Sequence, residues 1–195
     1  RRMVNIDRDT PRLFIVMGVS GSGKSSLAKE MADELSLTFL DADDFHSEQA
    51  KKHMANNKPL TDEMRAPWLA AIIAHLNSLY QQGKSVALAY SGLKSAHRQL
   101  FRELSFVCHF FYLDGDKAVI SKRISQRESH FFSAKLLDSQ FAVMEPPLLS
   151  EQDVSTININ RPYLSVFDEI NKLAYSIIRE VITTKVTTHN QLSGK

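Results

Sequence analysis

The chain has a single cysteine, Cys108, so no disulfide can close within it. That thiol lies in an apolar run over residues 106–113, where an inert, buried side chain is expected rather than a nucleophile. Charge of one sign is also scarce. The 24 Lys and Arg against 22 Asp and Glu leave a net +2, too slight an excess to argue for a nucleic-acid partner. No apolar stretch approaches the ~18–20 residues of a membrane span. Residues 1–7 lack the apolar core of a secretion signal. No Cys/His cluster has metal-ligand spacing, and there is no internal repeat, low-complexity block or linker. What these absences leave is one reduced, cytoplasmic domain spanning 1–195, long enough for a real core.

The apolar pattern alternates between strand and helix. Leu13-Phe14-Ile15-Val16-Met17 is continuous and ends at glycine, as a strand buried on both faces does. A helix over 24–35 puts Leu27, Ala28, Met31, Ala32 and Leu35 on one stripe. A strand over 38–40, a polar helix over 47–56 and a longer helix over 63–82 follow, the last closed by Gly83 as a left-handed cap. Then come a strand over 86–90, a helix over 96–103 and a strand over 107–113. Helices over 117–127 and 134–144, a strand over 156–159 and a helix over 163–181 complete the pattern, with a polar, frayed tail over 183–195. Such alternation predicts an α/β fold with a parallel, five-stranded sheet flanked by helices.

Three of the seven glycines stand close together in Gly18-Val19-Ser20-Gly21-Ser22-Gly23-Lys24-Ser25, which fits G-x-x-x-x-G-K-[ST] in full. A buried strand precedes it and an amphipathic helix follows, so a chance glycine-rich turn is a poor explanation. The glycines let consecutive N–H groups face phosphate oxygens, and the helix adds its positive end. Lys24 is expected to reach the β- and γ-phosphates, and Ser25 to ligate Mg²⁺ through its hydroxyl. Ser26 belongs to the same nucleotide-binding run. The spacing is not G-x-G-x-x-G, and a dinucleotide site has no use for Lys24. The pattern therefore assigns ATP with Mg²⁺ to this P-loop.

The second strand ends Leu40-Asp41-Ala42-Asp43-Asp44-Phe45-His46. In a doubly wound sheet the carboxyl ends of strands line the ligand crevice. Three carboxylates there repel one another unless a cation and a hydroxyl compensate. Asp41 and Asp43 share one side of an extended chain. We expect Asp41 in the magnesium water shell and Asp43 accepting or orienting the acceptor hydroxyl's proton. His46 is expected to hydrogen-bond a polar substrate. An acidic turn that merely caps the next helix explains Asp44 better than it explains Asp41 or Asp43.

This segment resembles the bacterial gluconate kinases, as does Met54-Ala55-Asn56-Asn57-Lys58-Pro59-Leu60-Thr61-Asp62-Glu63-Met64-Arg65-Ala66-Pro67-Trp68-Leu69. Ser91-Gly92-Leu93-Lys94 with Arg98 resembles the family's serine-alanine-leucine-lysine segment. Arg123, Arg127, His130-Phe131-Phe132 and Ser139-Gln140-Phe141 with Glu145-Pro146 resemble its lid region, here about 124–135. The resemblance runs from about residue 13 to about 162. It implies ATP-dependent phosphorylation of D-gluconate to 6-phosphogluconate, a homodimer, and a fold like that of shikimate and nucleoside monophosphate kinases. The chain departs from the family pattern at Ala50, Asn57 (usually glycine), Thr61 (usually asparagine), Met64, Ala96 and His97.

A sugar acid needs a cation at its acid end. Arg65 is the best candidate, since a guanidinium binds a carboxylate bidentately. A bare surface arginine at a helix start is mildly unfavourable, which adds to the functional reading. Lys94, past the third strand, could meet substrate or the transferring phosphate, with Arg98 behind it. Gln140 is carried over as a substrate residue by the resemblance. Arg127 is expected to close over ATP and neutralise the transferred phosphoryl group, whereas Arg123 either shares that task or stacks on adenine. His130 divides between lid packing and phosphate contact. Trp68 reads as helix core. Two other readings stand beside a gluconate kinase: a kinase for another small hydroxylated acid, and a nucleotide-binding module without transfer activity. A shikimate kinase is expected to carry a glycine triplet where this chain has Ser91-Gly92-Leu93.

Overall fold

The computed structural model describes residues 10–126 and 134–192, apart from the side chains of Ala134 and of residues 180 onward. Strand β1 (Arg12–Met17) is buried along its whole length. Its side chains alternate between two cores: Leu13, Ile15 and Met17 on one face, Phe14 and Val16 on the other. It is apolar on both faces because helices cover both faces of the sheet, and pairing along each edge satisfies its backbone. Five strands make one sheet in the order β2-β3-β1-β4-β5, every pairing parallel. The others are β2 (Thr38–Asp41), β3 (Val86–Ala89), β4 (Val107–Asp114) and β5 (Val154–Asn158). Ile15 lies opposite Leu88 on one side and Phe110 on the other.

Helices cover both faces. α1 (Lys24–Leu35) and α7 (Tyr163–Leu192) close one core, in which Leu27 and Met31 meet Ile170 and Ala174. α3 (Asp62–Gln81) and α4 (Ser95–Arg102) close the other with Trp68, Ile72, Leu76 and Phe101. α2 (Glu48–Ala55), capped by the Ser47 hydroxyl, α5 (Lys117–Ser125) and α6 (Ala134–Val143) complete the set. As expected, Gly83 ends α3 in the left-handed region at φ 71°. Cys108 sits between β4 and the second core, and burial pushes its thiol up to about 12, an inert group at neutral pH.

Three boundaries differ from expectation by two residues or more. α5 stops at Ser125 rather than 127. β5 begins at Val154, opposite Phe110, rather than at 156, and Ser155 fits the strand opposite Phe111, its hydroxyl 2.8 Å from the His109 ring. α7 runs past 181 to Leu192, through most of the segment read as a frayed tail. Its sequence holds no glycine or proline before Gly194, so nothing local stops it.

Candidate active site

The carboxyl ends of β1, β2 and β3 open on one side of the sheet, and the phosphate loop is the first element there. The chain leaves β1 at Met17 and enters α1 at Lys24. Gly21 and Gly23 hold φ 77° and 98°, values that a side chain would strain. A Cβ on Gly21 would also stand 2.4 Å from Ile124 of α5. The buried Ser22 hydroxyl has no hydrogen-bond partner among the described residues. Lys24 is only 9% exposed, yet it reaches the wall of a cavity of about 330 Å³. Beside it the Ser25 hydroxyl donates to Asp41 at 2.7 Å. The other Asp41 oxygen accepts the Asp43 N–H at 3.0 Å. An all-oxygen pair of hydroxyl and carboxylate, next to a phosphate cradle, fits a hard cation such as Mg²⁺. Ser26 points to solvent and does not line the cavity.

Asp43 and His46 form the next part of the wall. The Asp43 side chain is 66% exposed and lies 3.6 Å from the His46 ring nitrogen Nε2. The surrounding protein pushes its pKa up, but His46 and the charge of Lys24 together outweigh this and hold it below the ordinary carboxylate value. Asp43 is therefore ionised throughout the neutral range. His46 is itself pinned, stacked on Trp68 with ring centroids 4.3 Å apart. Its Nδ1 is buried without a partner among the described residues. Trp68 is core, as expected, but it also faces the cavity, and its indole N–H donates to the Ala42 carbonyl at 2.6 Å. That bond ties α3 to the exit of β2.

Arg65, in the first turns of α3, lines the same cavity. One of its nitrogens is 3.1 Å from Asp62 Oδ1, and Lys94 Nζ lies 2.6 Å from that same oxygen. Lys94 is thus beside the cavity, joined to Arg65 through Asp62, rather than in its wall. Gln140 lines the cavity from α6, and its side-chain carbonyl accepts the Ser20 N–H of the phosphate loop at 2.7 Å. Gln140 therefore joins α6 to the phosphate loop at the cavity wall.

Other expected residues lie elsewhere. Arg123 is 2.7 Å from the Ile159 carbonyl and 3.2 Å from that of Arg161, at the turn between β5 and α7. Arg127 and His130, with most of the expected lid, fall outside the described residues. Arg98 is fully buried. It makes a two-pronged pair with Glu151 at 2.9 and 3.0 Å and donates to the carbonyls of Gly92 and Glu145. Such an arginine holds the exit of β3 to the segment after α6 and does not line the cavity. Ser91, which the sequence named only within its serine-glycine-leucine-lysine segment and gave no role, lines the cavity. Its place at a strand's carboxyl end was the signal that could have found it.

Two departures from the family pattern keep the backbone's needs. Asn57 holds φ 60°, a conformation that glycine adopts freely and asparagine tolerates better than other residues. Thr61 caps α3, its hydroxyl accepting the Met64 N–H at 3.2 Å, as an asparagine would.

Comparison with known proteins bears on the whole of this arrangement. Residues 13–147 match the AAA domain family. The chain is 37% identical to the thermosensitive gluconokinase of Escherichia coli (strain K12) over 172 residues, which is 88% of this chain and 92% of that protein. It is 38% identical to the thermoresistant gluconokinase of the same strain over 150 residues, 77% of this chain and 86% of that one. The crystal structure of a gluconokinase from Sinorhizobium meliloti 1021 superposes with a TM-score of 0.80 at 30% identity, covering 91% of this chain and 99% of the other. At this identity over most of both sequences, the chain belongs to the gluconokinase family of P-loop kinases.

Proposed function

We propose that the chain transfers the γ-phosphoryl group of ATP to the terminal hydroxyl of D-gluconate, giving 6-phosphogluconate and ADP. The observation that carries this is one cavity with Lys24 of the phosphate loop, Asp43 and Arg65 all in its wall. Donor, acceptor and acid end can be held there at once, which is most of what phosphoryl transfer asks of a protein.

In this reading the P-loop N–H groups and Lys24 hold the β- and γ-phosphates. Mg²⁺, arriving with ATP, would be held by Ser25 directly and by Asp41 through water, and would neutralise phosphate charge. Asp43 accepts the hydroxyl's hydrogen bond and aims its oxygen at phosphorus. A carboxylate with a lowered pKa is a weak base, so orientation is the larger part of its task, with the proton leaving late as the O–P bond forms. His46, fixed by Trp68, holds Asp43 and offers polar contact to the sugar chain. Arg65 binds the carboxylate, Lys94 adds positive charge beside it, and Gln140 spans phosphate loop and acceptor. By kinship we assign Arg127 and His130 to a lid over the phosphates, and a homodimer in the cytoplasm. No helix among the described residues is long and apolar enough to cross a membrane.

A coupled ADP assay over a panel of acceptors tests the proposal. D-gluconate should drive ADP release well above the background with ATP alone, while D-glucitol, shikimate and AMP should not. Preference for another hydroxy acid would keep the kinase and change its substrate. ATP binding without acceptor-dependent ADP release would reject transfer altogether.

A further inference from the structure

Asp62 lies outside the cavity wall, yet it holds both cations at the cavity's acid end. It is the first residue of α3, three before Arg65, and 32 positions from Lys94. Its Oδ1 atom alone meets Arg65 at 3.1 Å and Lys94 at 2.6 Å. Its side chain is 66% exposed, against 15% for Arg65 and 27% for Lys94. The carboxylate thus sits on the solvent side of two partly sheltered cations. Cap and helix start do not need it, because Thr61 supplies the cap.

A substrate carboxylate bound at Arg65 would meet a second negative charge already in place. Two carboxylates sharing one pair of cations compete for the same positive field and repel each other. We propose that Asp62 is a specificity-determining residue that opposes binding of the substrate's acid end, an internal competitor for Arg65 and Lys94. This rests on the gluconate reading above. The charge around the cluster agrees. His97, nearby, has a lowered pKa, first through burial and then through Arg65 and Lys94, whose effects exceed the opposing ones of Asp62 and Glu145. Arg65 and Lys94 against the single carboxylate of Asp62 leave a formal charge of +1, enough to take a monoanion but less than the two cations alone would give. The consequence is a looser grip on an anionic product, whose release sets turnover in many kinases.

The test is Asp62→Asn, which keeps an oxygen acceptor for both cations and removes only the charge. The KM for D-gluconate should fall by about threefold to tenfold at low ionic strength, and inhibition by 6-phosphogluconate should tighten by a similar factor. The KM for ATP, and for D-glucitol as a weak neutral acceptor, should not move. Added salt should shrink the gluconate effect, because Asp62 is exposed. Asp62→Glu, which retains the charge, should stay near the parent. A gluconate KM that is unchanged or raised in Asp62→Asn would overturn the proposal and make Asp62 a support for Arg65 instead. Equal changes for gluconate and D-glucitol would also overturn it. Failure of the underlying reading is seen separately, in a parent protein that does not turn over gluconate at all.

Discussion

In the proposed site the working groups at the phosphate end of the cavity are mostly backbone, contributed by eight consecutive residues from Gly18 to Ser25. Their positions follow from glycine dihedrals and from the start of one helix. At the acceptor end the working groups are side chains. Asp43 and His46 come from the turn after β2, Arg65 from α3, and Gln140 from α6. They are held by partners of their own: Trp68 behind His46, Asp62 beside Arg65, Ser20 on Gln140. A backbone site tolerates few substitutions and binds what every nucleotide shares. A side-chain site can be retuned one residue at a time. The comparison teaches that the nucleotide is specified by local sequence, and the acceptor by the meeting of distant elements.

The largest expected effect breaks the phosphate end. Lys24→Ala should abolish measurable turnover, with the melting temperature and far-ultraviolet spectrum nearly unchanged. Near-normal turnover would end the assignment of this loop to phosphate. Asp43→Asn, at the junction of the two ends, should lower kcat by ~10²–10⁴-fold while ATP affinity, measured by calorimetry, stays within a few-fold. A loss confined to ATP affinity would move Asp43 to the metal side. Arg65→Ala should raise the gluconate KM by roughly thirty- to several-hundred-fold, since a charge-assisted pair contributes ~2–4 kcal/mol. The ATP KM should barely move, and Arg65→Lys should recover only part. Gluconate and D-glucitol should converge as substrates in Arg65→Ala. Equal losses for both would mean that Arg65 is structural.

Arg98 sharpens the contrast from within the acceptor half. It is the same residue type as Arg65, but it is wholly buried on Glu151. The hydrogen bond from Arg98 is the main cause that lowers the Glu151 pKa, to about 2. Because the folded value lies below the ordinary 4.5, this carboxylate stabilises the fold fully above pH ~4.5. That stability is lost as pH falls toward 2. Thermal melts between pH 5 and 2.5 should show a steep loss in the parent. Arg98→Met should cost ~3–5 kcal/mol at neutral pH and flatten that acid loss. An unchanged slope would mean that other carboxylates set the acid limit.

The sequence made the phosphate loop and the order of strands and helices readable, because each rests on contiguous residues: a motif, an apolar run, a glycine cap. Asp41, Asp43 and Arg65 were readable as candidates from their places at a strand end and a helix start. Other features had no local signal. Asp62 meets Lys94, Gln140 meets Ser20, and Arg98 meets Glu151 across 32, 120 and 53 residues, distances only the fold closes. Gln140 reads as an acceptor residue by resemblance, and its bond to the phosphate loop could not be foreseen. The length of α7 was misjudged for a different reason. Polar residues such as Thr183, Thr184 and Thr187 end an amphipathic stripe without ending a helix.

The smallest expected effect concerns Asn57, and it asks whether a departure from the family pattern near the acceptor end alters chemistry or only backbone. Asn57 holds φ 60° just after α2, where the family usually has glycine, and its side chain does not line the cavity. Glycine removes the strain of a Cβ in the left-handed region but adds chain entropy to the unfolded state. The two terms oppose each other at a few tenths of a kcal/mol each, so Asn57→Gly should leave stability within about 0.5 kcal/mol. Asn57→Val removes the short polar side chain that makes this conformation tolerable. A β-branched residue there should cost ~1–2 kcal/mol, or roughly 2–8 °C in Tm for a domain of this size. Neither variant should change the gluconate KM by more than about twofold, if the position matters only through its dihedral angles. A large KM change in Asn57→Gly without a change in Tm would show that the asparagine side chain reaches the acceptor, and the sharp division between a backbone end and a side-chain end would have to include residue 57 on the side-chain side.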